Sequence, residues 1–204
     1  MGAALTQLIP IHELAPGAAG AIRNQVIAAV LAKASSEMSM PIEKLVVRDL
    51  RPVEDLALYS SGTTATTIND WIFTTAASTV TGYVAINNTA TPMADQRYVA
   101  LYGVKDLRNV YDVKQAAATV RAVLSQVVSL VKINVGGGDK VIWDLSRLQV
   151  YPHEMVGISP SAVIIPQNAS YAISLYKCNG VASVIANILF EGVVVEPRGR
   201  VLAP

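Results

Sequence analysis

The sequence predicts a mainly β protein: an antiparallel sandwich or barrel, preceded by a helical N-terminal segment and carrying one internal helix. Short runs of β-branched and aromatic residues recur after Pro41, separated by turn residues. This pattern is typical of antiparallel sheets rather than of alternating strand and helix units. Residues 18–38 instead repeat apolar side chains at helical spacing. We therefore divide the chain into a helical arm, 1–40, and a β-sandwich domain, 41–204.

Composition limits the function classes. The 16 Lys and Arg residues nearly balance the 15 Asp and Glu residues, so we expect no sequence-specific binding of nucleic acid, which needs a basic face. Charged residues make up 15% of the chain and apolar residues 52%, whereas an ordinary soluble domain carries roughly 25% charged residues. This composition excludes intrinsic disorder. It also suggests that much of the outer surface is covered by something other than water.

The helical segment is bounded by Pro16 and Gly17 on one side and by Pro41 on the other. Its apolar side chains repeat along one stripe, and no run of about 18 apolar residues suggests a membrane-spanning helix. Two hypotheses follow: a helix packed on its own core, or an arm that docks on a neighbouring subunit or a membrane surface. On the second, the stripe supplies the assembly contacts Ile22, Val26, Ile27 and Val30.

The β part of the chain is predicted as a series of short strands. Their alternation is clearest at 97–104, where Tyr98, Ala100 and Tyr102 alternate with Val99, Leu101 and Gly103. The predicted strands are 45–50, 71–75, 79–86, 97–104, 140–148, 161–165, 170–176 and 184–195.

One segment is ambiguous between helix and strand. Asp112 and Gln115 form a capping-box-like pair, and apolar residues then follow helical spacing, which predicts a helix over 113–124. A strand over 127–135 follows it. The sequence Gly136-Gly137-Gly138-Asp139 then turns that strand into the next one as a hairpin.

Residues able to carry catalysis are scarce. The chain has two histidines, His12 and His153, and one cysteine, Cys178. One histidine beside Glu154 is too few for a metal site on a β-barrel, and no nucleophile elbow or phosphate-binding loop occurs. We therefore predict no catalytic residue, no cofactor and no metal, and expect a protein that is not an enzyme.

The C-terminal third resembles a known family. The segments ISPSAVIIP at 158–166, ASYAISLY at 169–176 and ILFEGVVVE at 188–196, followed by Pro197-Arg198-Gly199, resemble the late strands of single jelly-roll capsid proteins. These proteins form the shells of tailless icosahedral viruses of archaea and thermophilic bacteria, many of which enclose an internal membrane. The resemblance covers about residues 140–200 well and 41–110 loosely.

The resemblance implies an antiparallel jelly-roll β-sandwich and a structural role in the virion. It implies a self-assembling, homo-oligomeric capsid subunit located in the shell and assembled in the host cytoplasm. Its partners would be other copies of itself and other capsid proteins, with the N-terminal segment as a candidate contact to an internal membrane. Arg198 and Arg200 are predicted to tie the C-terminal tail to a neighbouring subunit.

The alternative is a non-catalytic carbohydrate- or surface-binding β-sandwich module. Such modules expose aromatic rings that stack on sugars. The tryptophan candidates are Trp71 and Trp143, of which Trp143 lies within an apolar alternation that predicts a core position.

Overall fold

The computed structural model describes residues 3–58, 71, 73–77, 82–106, 120–121, 123–149, 155–177 and 184–201. Their strands form two sheets. Sheet 1 has the order β1-β9-β8-β11-β5, and sheet 2 has the order β2-β10-β6-β12-β3, with β4 and β7 also paired to β12. The strands of sheet 1 are β1 (Ala4–Gln7), β5 (Tyr83–Ala85), β8 (Val128–Val135), β9 (Gly138–Asp144) and β11 (Tyr171–Lys177). Those of sheet 2 are β2 (Ile9–Pro10), β3 (Leu45–Asp49), β4 (Phe73–Ala76), β6 (Tyr98–Asp106), β7 (Val120–Arg121), β10 (Met155–Ile165) and β12 (Val184–Pro197).

The two sheets pack face to face around one hydrophobic core. Side chains from both sheets contribute to it, and Trp143, Phe190 and Leu101 are among its largest fully buried members. The prediction of a mainly β sandwich is therefore confirmed. Trp143 occupies the core position that its apolar alternation predicted.

Helix α1 (Ala18–Met38) covers the outer face of sheet 2. Its boundaries agree with those predicted from the flanking proline and glycine residues. Val26, Val30 and Ala34 are buried against Tyr98 and Val193 in a second hydrophobic cluster. The central strands β6 and β12 are thus buried on both faces, which explains their nearly continuous apolar sequences.

The N-terminal segment contains strands that the sequence analysis did not predict. Strand β1 pairs in parallel with β9 in sheet 1, and β2 pairs antiparallel with β10 in sheet 2. Residues 4–10 therefore cross from one sheet to the other at one edge of the sandwich. Leu8, at the crossing point, is fully buried in the core. The N-terminal residues thus contact the sandwich through β1, β2 and α1. The division into an arm, 1–40, and a sandwich domain, 41–204, stays a prediction.

Several strand predictions are confirmed with shifted ends. The predicted strand 161–165 extends back to Met155, and 140–148 ends at Asp144, before a 3-10 turn over Ser146–Gln149. The hairpin between β8 and β9 turns at Gly136 and Gly137, whose φ angles of +64° and +77° favour glycine.

The predicted internal helix is only partly covered by the described residues. Its first seven positions, 113–119, lie outside them. At its predicted C-terminal end the prediction is wrong, because Val120–Arg121 form strand β7, which pairs in parallel with β12. A short helix, α2 (Pro52–Asp55), follows β3; another, α3 (Leu124–Val127), leads into β8; and α4 (Arg198–Val201) follows β12.

Candidate functional site

The predicted assembly contacts on α1 lie against the chain's own sheet. Val26 and Val30 are buried in the cluster between α1 and sheet 2, and Ile22 and Ile27 pack against the same cluster while partly exposed. The structure therefore agrees with the hypothesis of a helix packed on its own core. Val26 and Val30 are buried in this docked position of the helix. The role of the four residues as assembly contacts stays a prediction.

The C-terminal arginines occupy the short helix α4 directly after β12. Arg198 is exposed, and the side chain of Arg200 lies outside the described part of the structure. The role predicted for both in binding a neighbouring subunit stays a prediction. His153 and Cys178 lie outside the described residues. Within the described ranges, no group of three or more His, Cys, Asp or Glu side chains is placed to hold a metal ion.

Two arginines and two carboxylates form a buried ion-pair network, which we call the Asp55 network. It joins Arg48 of β3, Asp55 of α2, Arg97 before β6 and Glu196 of β12. The Arg48 guanidinium donates two hydrogen bonds of 2.7 Å to the Asp55 carboxylate and one of 3.1 Å to Glu196. Arg97 donates from Nε to Glu196 at 2.5 Å, and its Nη1 lies 3.3 Å from Asp55.

The Asp55 network lies at one end of the inter-sheet core. The Asp55 side chain is completely buried, and the Glu196 side chain is only 4% exposed. The backbone N–H of Arg51 donates a further hydrogen bond of 2.8 Å to Asp55. Buried carboxylates are tolerated only when they are paired and hydrogen-bonded, and both conditions are met here.

A tyrosine from sheet 1 closes the same end. The hydroxyl of Tyr171 in β11 donates to the backbone carbonyl of Leu56, which follows α2, at 2.9 Å. Burial raises the pKa of Tyr171 to about 12, although the charge of Arg97 acts in the opposite direction. The network and Tyr171 together join sheet 1, sheet 2 and α2, which is a structural task.

The second polar site is an open cleft between α1 and sheet 2, which we call the Tyr102 cleft. Its volume is about 390 Å³. Its lining includes Arg23 of α1, Asp49 of β3, Trp71, Tyr102 of β6 and Glu191 of β12.

A β-bulge shapes the cleft. In the pairing of β6 with β12, Gly103 faces Glu191 and Leu101 faces Gly192, so Tyr102 has no partner. The pairing of β6 with β10 also passes from Leu101 to Gly103. Leu101 and Val104, three residues apart, consequently both face the core. Bulges bend a strand and redirect side chains, and they are over-represented beside binding sites.

Gly192 lines the cleft and allows β12 to lie very close to β6. A Cβ atom there would lie 2.7 Å from the backbone oxygen of Ala100 and 2.9 Å from Cδ2 of Leu50. Both distances are shorter than any carbon contact can be without displacement. This position therefore needs glycine for close approach of the strands.

The charged groups of the cleft are coupled to one another. The Arg23 guanidinium donates to Oδ1 of Asp49 at 2.7 Å. Burial raises the pKa of Glu191, while the positive charges of Lys105 and Arg23 oppose that rise. Burial likewise raises the pKa of Tyr102. Trp71 is 42% exposed beside these groups. The cleft thus places an aromatic ring, hydrogen-bond donors and carboxylate acceptors within one small volume.

Of the residues in the Asp55 network and the Tyr102 cleft, the sequence pointed only to Trp71, as a candidate for stacking on a sugar. Arg48, Asp55 and Glu196 come from three elements and Arg97 lies just before a fourth. Arg48 and Glu196 are 148 positions apart, so no local spacing brings them together. Tyr102 and Glu191 lie within the predicted strands 97–104 and 184–195, which assign them no role in a site. No motif marks the bulge, since a regular alternation predicts regular pairing.

Comparison with known proteins identifies no relative: the chain matches no protein-family model and none of the curated proteins. No relative therefore assigns a role to the Asp55 network or to the Tyr102 cleft.

Proposed function

We propose that this chain is a structural subunit of a viral capsid with a jelly-roll fold, acting by self-assembly rather than by catalysis. The observation that carries the proposal is the order of its strands. We set aside the N-terminal edge strands β1 and β2, and also β4 and β7, which pair with β12 outside the main strand order of sheet 2. Of the described strands, eight then remain, from β3 as the first to β12 as the eighth.

Their pairing is nested. The first strand pairs with the eighth (β3 with β12), the second with the seventh (β5 with β11), the third with the sixth (β6 with β10) and the fourth with the fifth (β8 with β9). All four pairs are antiparallel. A long hairpin rolled into two facing sheets produces this nesting, which is the pattern of a jelly roll with two Greek keys. It supports the fold implied by the resemblance in the C-terminal third.

The surface supports an assembly role. Of the described large apolar side chains, five remain strongly exposed: Leu5, Ile11, Ile42, Trp71 and Tyr83. Leu5, which is 65% exposed, lies on β1, an edge strand of sheet 1. Together with the low fraction of charged residues, this favours burial of the outer surface against neighbouring copies. Interface cores are depleted in charged residues in the same way.

Membrane contact is a separate part of the proposal. In the described ranges, no helix combines the length and the hydrophobicity needed to cross a bilayer. Helix α1 presents its buried stripe to sheet 2, so contact with an internal membrane would need its other face or its release.

Oligomeric state tests the proposal. Sedimentation velocity and native mass spectrometry at micromolar concentration should show rings or larger shells, and electron micrographs should show ordered lattices.

Leu5→Glu should weaken assembly without lowering the melting temperature. The matched control is Gln25→Glu on the exposed face of α1, which should leave assembly unchanged. A wild-type chain that stays strictly monomeric under all these conditions would overturn the proposal.

A further inference from the structure

We propose that the Tyr102 cleft is a saccharide-binding site. This inference does not depend on the capsid proposal, because a lone subunit contains every residue of the cleft. The volume of about 390 Å³ lies within the range of roughly 300–1,000 Å³ typical of small-molecule sites.

The aromatic component is Trp71. Its side chain is 42% exposed although it is the largest of the apolar residues, in contrast to the fully buried Trp143. The C–H face of a sugar ring packs on such an indole surface. An exposed tryptophan in the lining of a polar cleft supplies the surface that this contact needs.

The polar component consists of planar groups that can bind adjacent hydroxyls. Arg23 carries five N–H donors, and Asp49 accepts one of them through Oδ1 at 2.7 Å. The side chains of this pair are 42% and 66% exposed, so donors and acceptors remain open to a ligand. A sugar hydroxyl both donates and accepts, and can therefore bind to both members of the pair. Hydrogen bonds to such charged groups are also the stronger ones.

The balance of the charges favours a neutral, polar ligand. Asp49 and Glu191 place two carboxylates in the cleft, and the guanidinium of Arg23 and the positive charge of Lys105 act against them. Charges of the two signs are therefore equal in number, so a charged ligand gains no net attraction. A purely apolar ligand would leave these groups without hydrogen bonds, whereas a polyhydroxylated neutral ligand can supply them.

The backbone of two central strands shapes the site before any ligand binds. Tyr102 occupies an unpaired bulge position in β6, and Gly192, which lines the cleft, lets β12 lie close to the backbone of Ala100. Since both features are built into the central strands, this part of the cleft needs little rearrangement on binding. Such preorganisation reduces the entropic cost of association.

Two steps test the inference with the intact chain. A glycan array carrying neutral hexoses, N-acetylhexosamines and their oligomers identifies the tightest-binding sugar, and calorimetry then measures its affinity for purified protein. Trp71→Ala and Asp49→Ala should each weaken this binding roughly tenfold or more. Tyr83→Ala, which removes an aromatic ring of similar exposure on sheet 1, should leave it unchanged. Because all three residues are exposed, the melting temperatures should stay close to that of the wild type.

Fluorescence supplies an independent measurement. Since Trp143 is fully buried and Trp71 is not, the acrylamide-accessible fraction of tryptophan emission reports on Trp71, and the bound sugar should reduce it. The inference is overturned if no sugar on the array binds, or if binding survives both Trp71→Ala and Asp49→Ala. It is equally overturned if Tyr83→Ala is the variant that abolishes binding, because the site would then lie on sheet 1. None of these outcomes bears on assembly, which is measured separately.

Discussion

The guanidinium of Arg48 and the carboxylate of Asp55 face each other in a two-bond pair, with both N···O distances at 2.7 Å. Asp55 is completely buried and Arg48 is largely so. Glu196 and Arg97 extend the pair into a network that links β3, α2, β6 and β12. The network thereby attaches α2 to sheet 2 at one end of the core.

Asp55→Asn should destabilise the fold by about 3 kcal/mol or more, because it leaves Arg48 and Arg97 with one carboxylate in a buried site. Urea unfolding followed by circular dichroism measures this change. The matched control is Asp49→Asn, which removes the partner of Arg23 in an exposed pair and should cost less than about 1 kcal/mol. Equal losses for the two variants would show that the Asp55 network is not a stabilising feature.

Gly192→Ala should destabilise the protein by about 1–3 kcal/mol, since the new methyl group would meet the backbone oxygen of Ala100 at 2.7 Å. Gly20→Ala is the control. Gly20 lies within α1 with open space around it, and there alanine should add about 0.5–1 kcal/mol of stability. Thermal unfolding of both variants measures these changes in stability. A Gly192→Ala protein more stable than the wild type would contradict the close approach of β6 and β12.

Val30→Asp should destabilise the folded subunit by about 3 kcal/mol or more, because it places an unpaired charge in the cluster between α1 and sheet 2. Ala29→Asp, on the exposed side of the same helix, should change stability little. If Val30→Asp instead abolished assembly and left the free energy of unfolding unchanged, the docked position of α1 would be contradicted. Helix α1 would then act as an arm that contacts a neighbouring subunit.

Glu191→Gln should stabilise the subunit at neutral pH and have little effect near pH 4. Burial raises the pKa of Glu191 in the folded state above its ordinary value. The folded state therefore holds this proton more tightly than the unfolded state. Stability from this group is fully present below the unfolded pKa of about 4.3 and is lost as the pH rises through the folded pKa.

Glutamine stays neutral, so the difference between variant and wild type should grow across that interval and then level off. Urea unfolding at a series of pH values from 4 to 8 measures it. The charges of Lys105 and Arg23 oppose the effect of burial on the pKa of Glu191, and that of Asp49 adds to it. A difference that is constant with pH would contradict the burial of a charged Glu191.

Local sequence predicted much of the secondary structure. The alternation in β6 assigns Tyr98 and Ala100 to one face and Val99 and Leu101 to the other, and the structure places these pairs in different clusters. The proline and glycine residues around α1 predicted its ends. Prediction was weakest at 1–10 and 113–124. No strand is predicted within 1–10, because β1 and β2 are only 4 and 2 residues long and such short segments carry little signal. Within 113–124, helical and alternating patterns overlap.

The apolar periodicities, the ends of the long elements and the scarcity of catalytic groups can be read from the chain alone, because each depends on residues close together along it. Three features depend on tertiary contacts instead: the position of α1 on sheet 2, the pairing of the N-terminal strands with both sheets, and the contact of Arg48 with Glu196 across 148 positions. The Tyr102 cleft belongs with these features, since its lining comes from α1, β3, β6 and β12, which are far apart along the chain. Such contacts depend on long-range pairing and close packing, which an amphipathic pattern permits but does not specify.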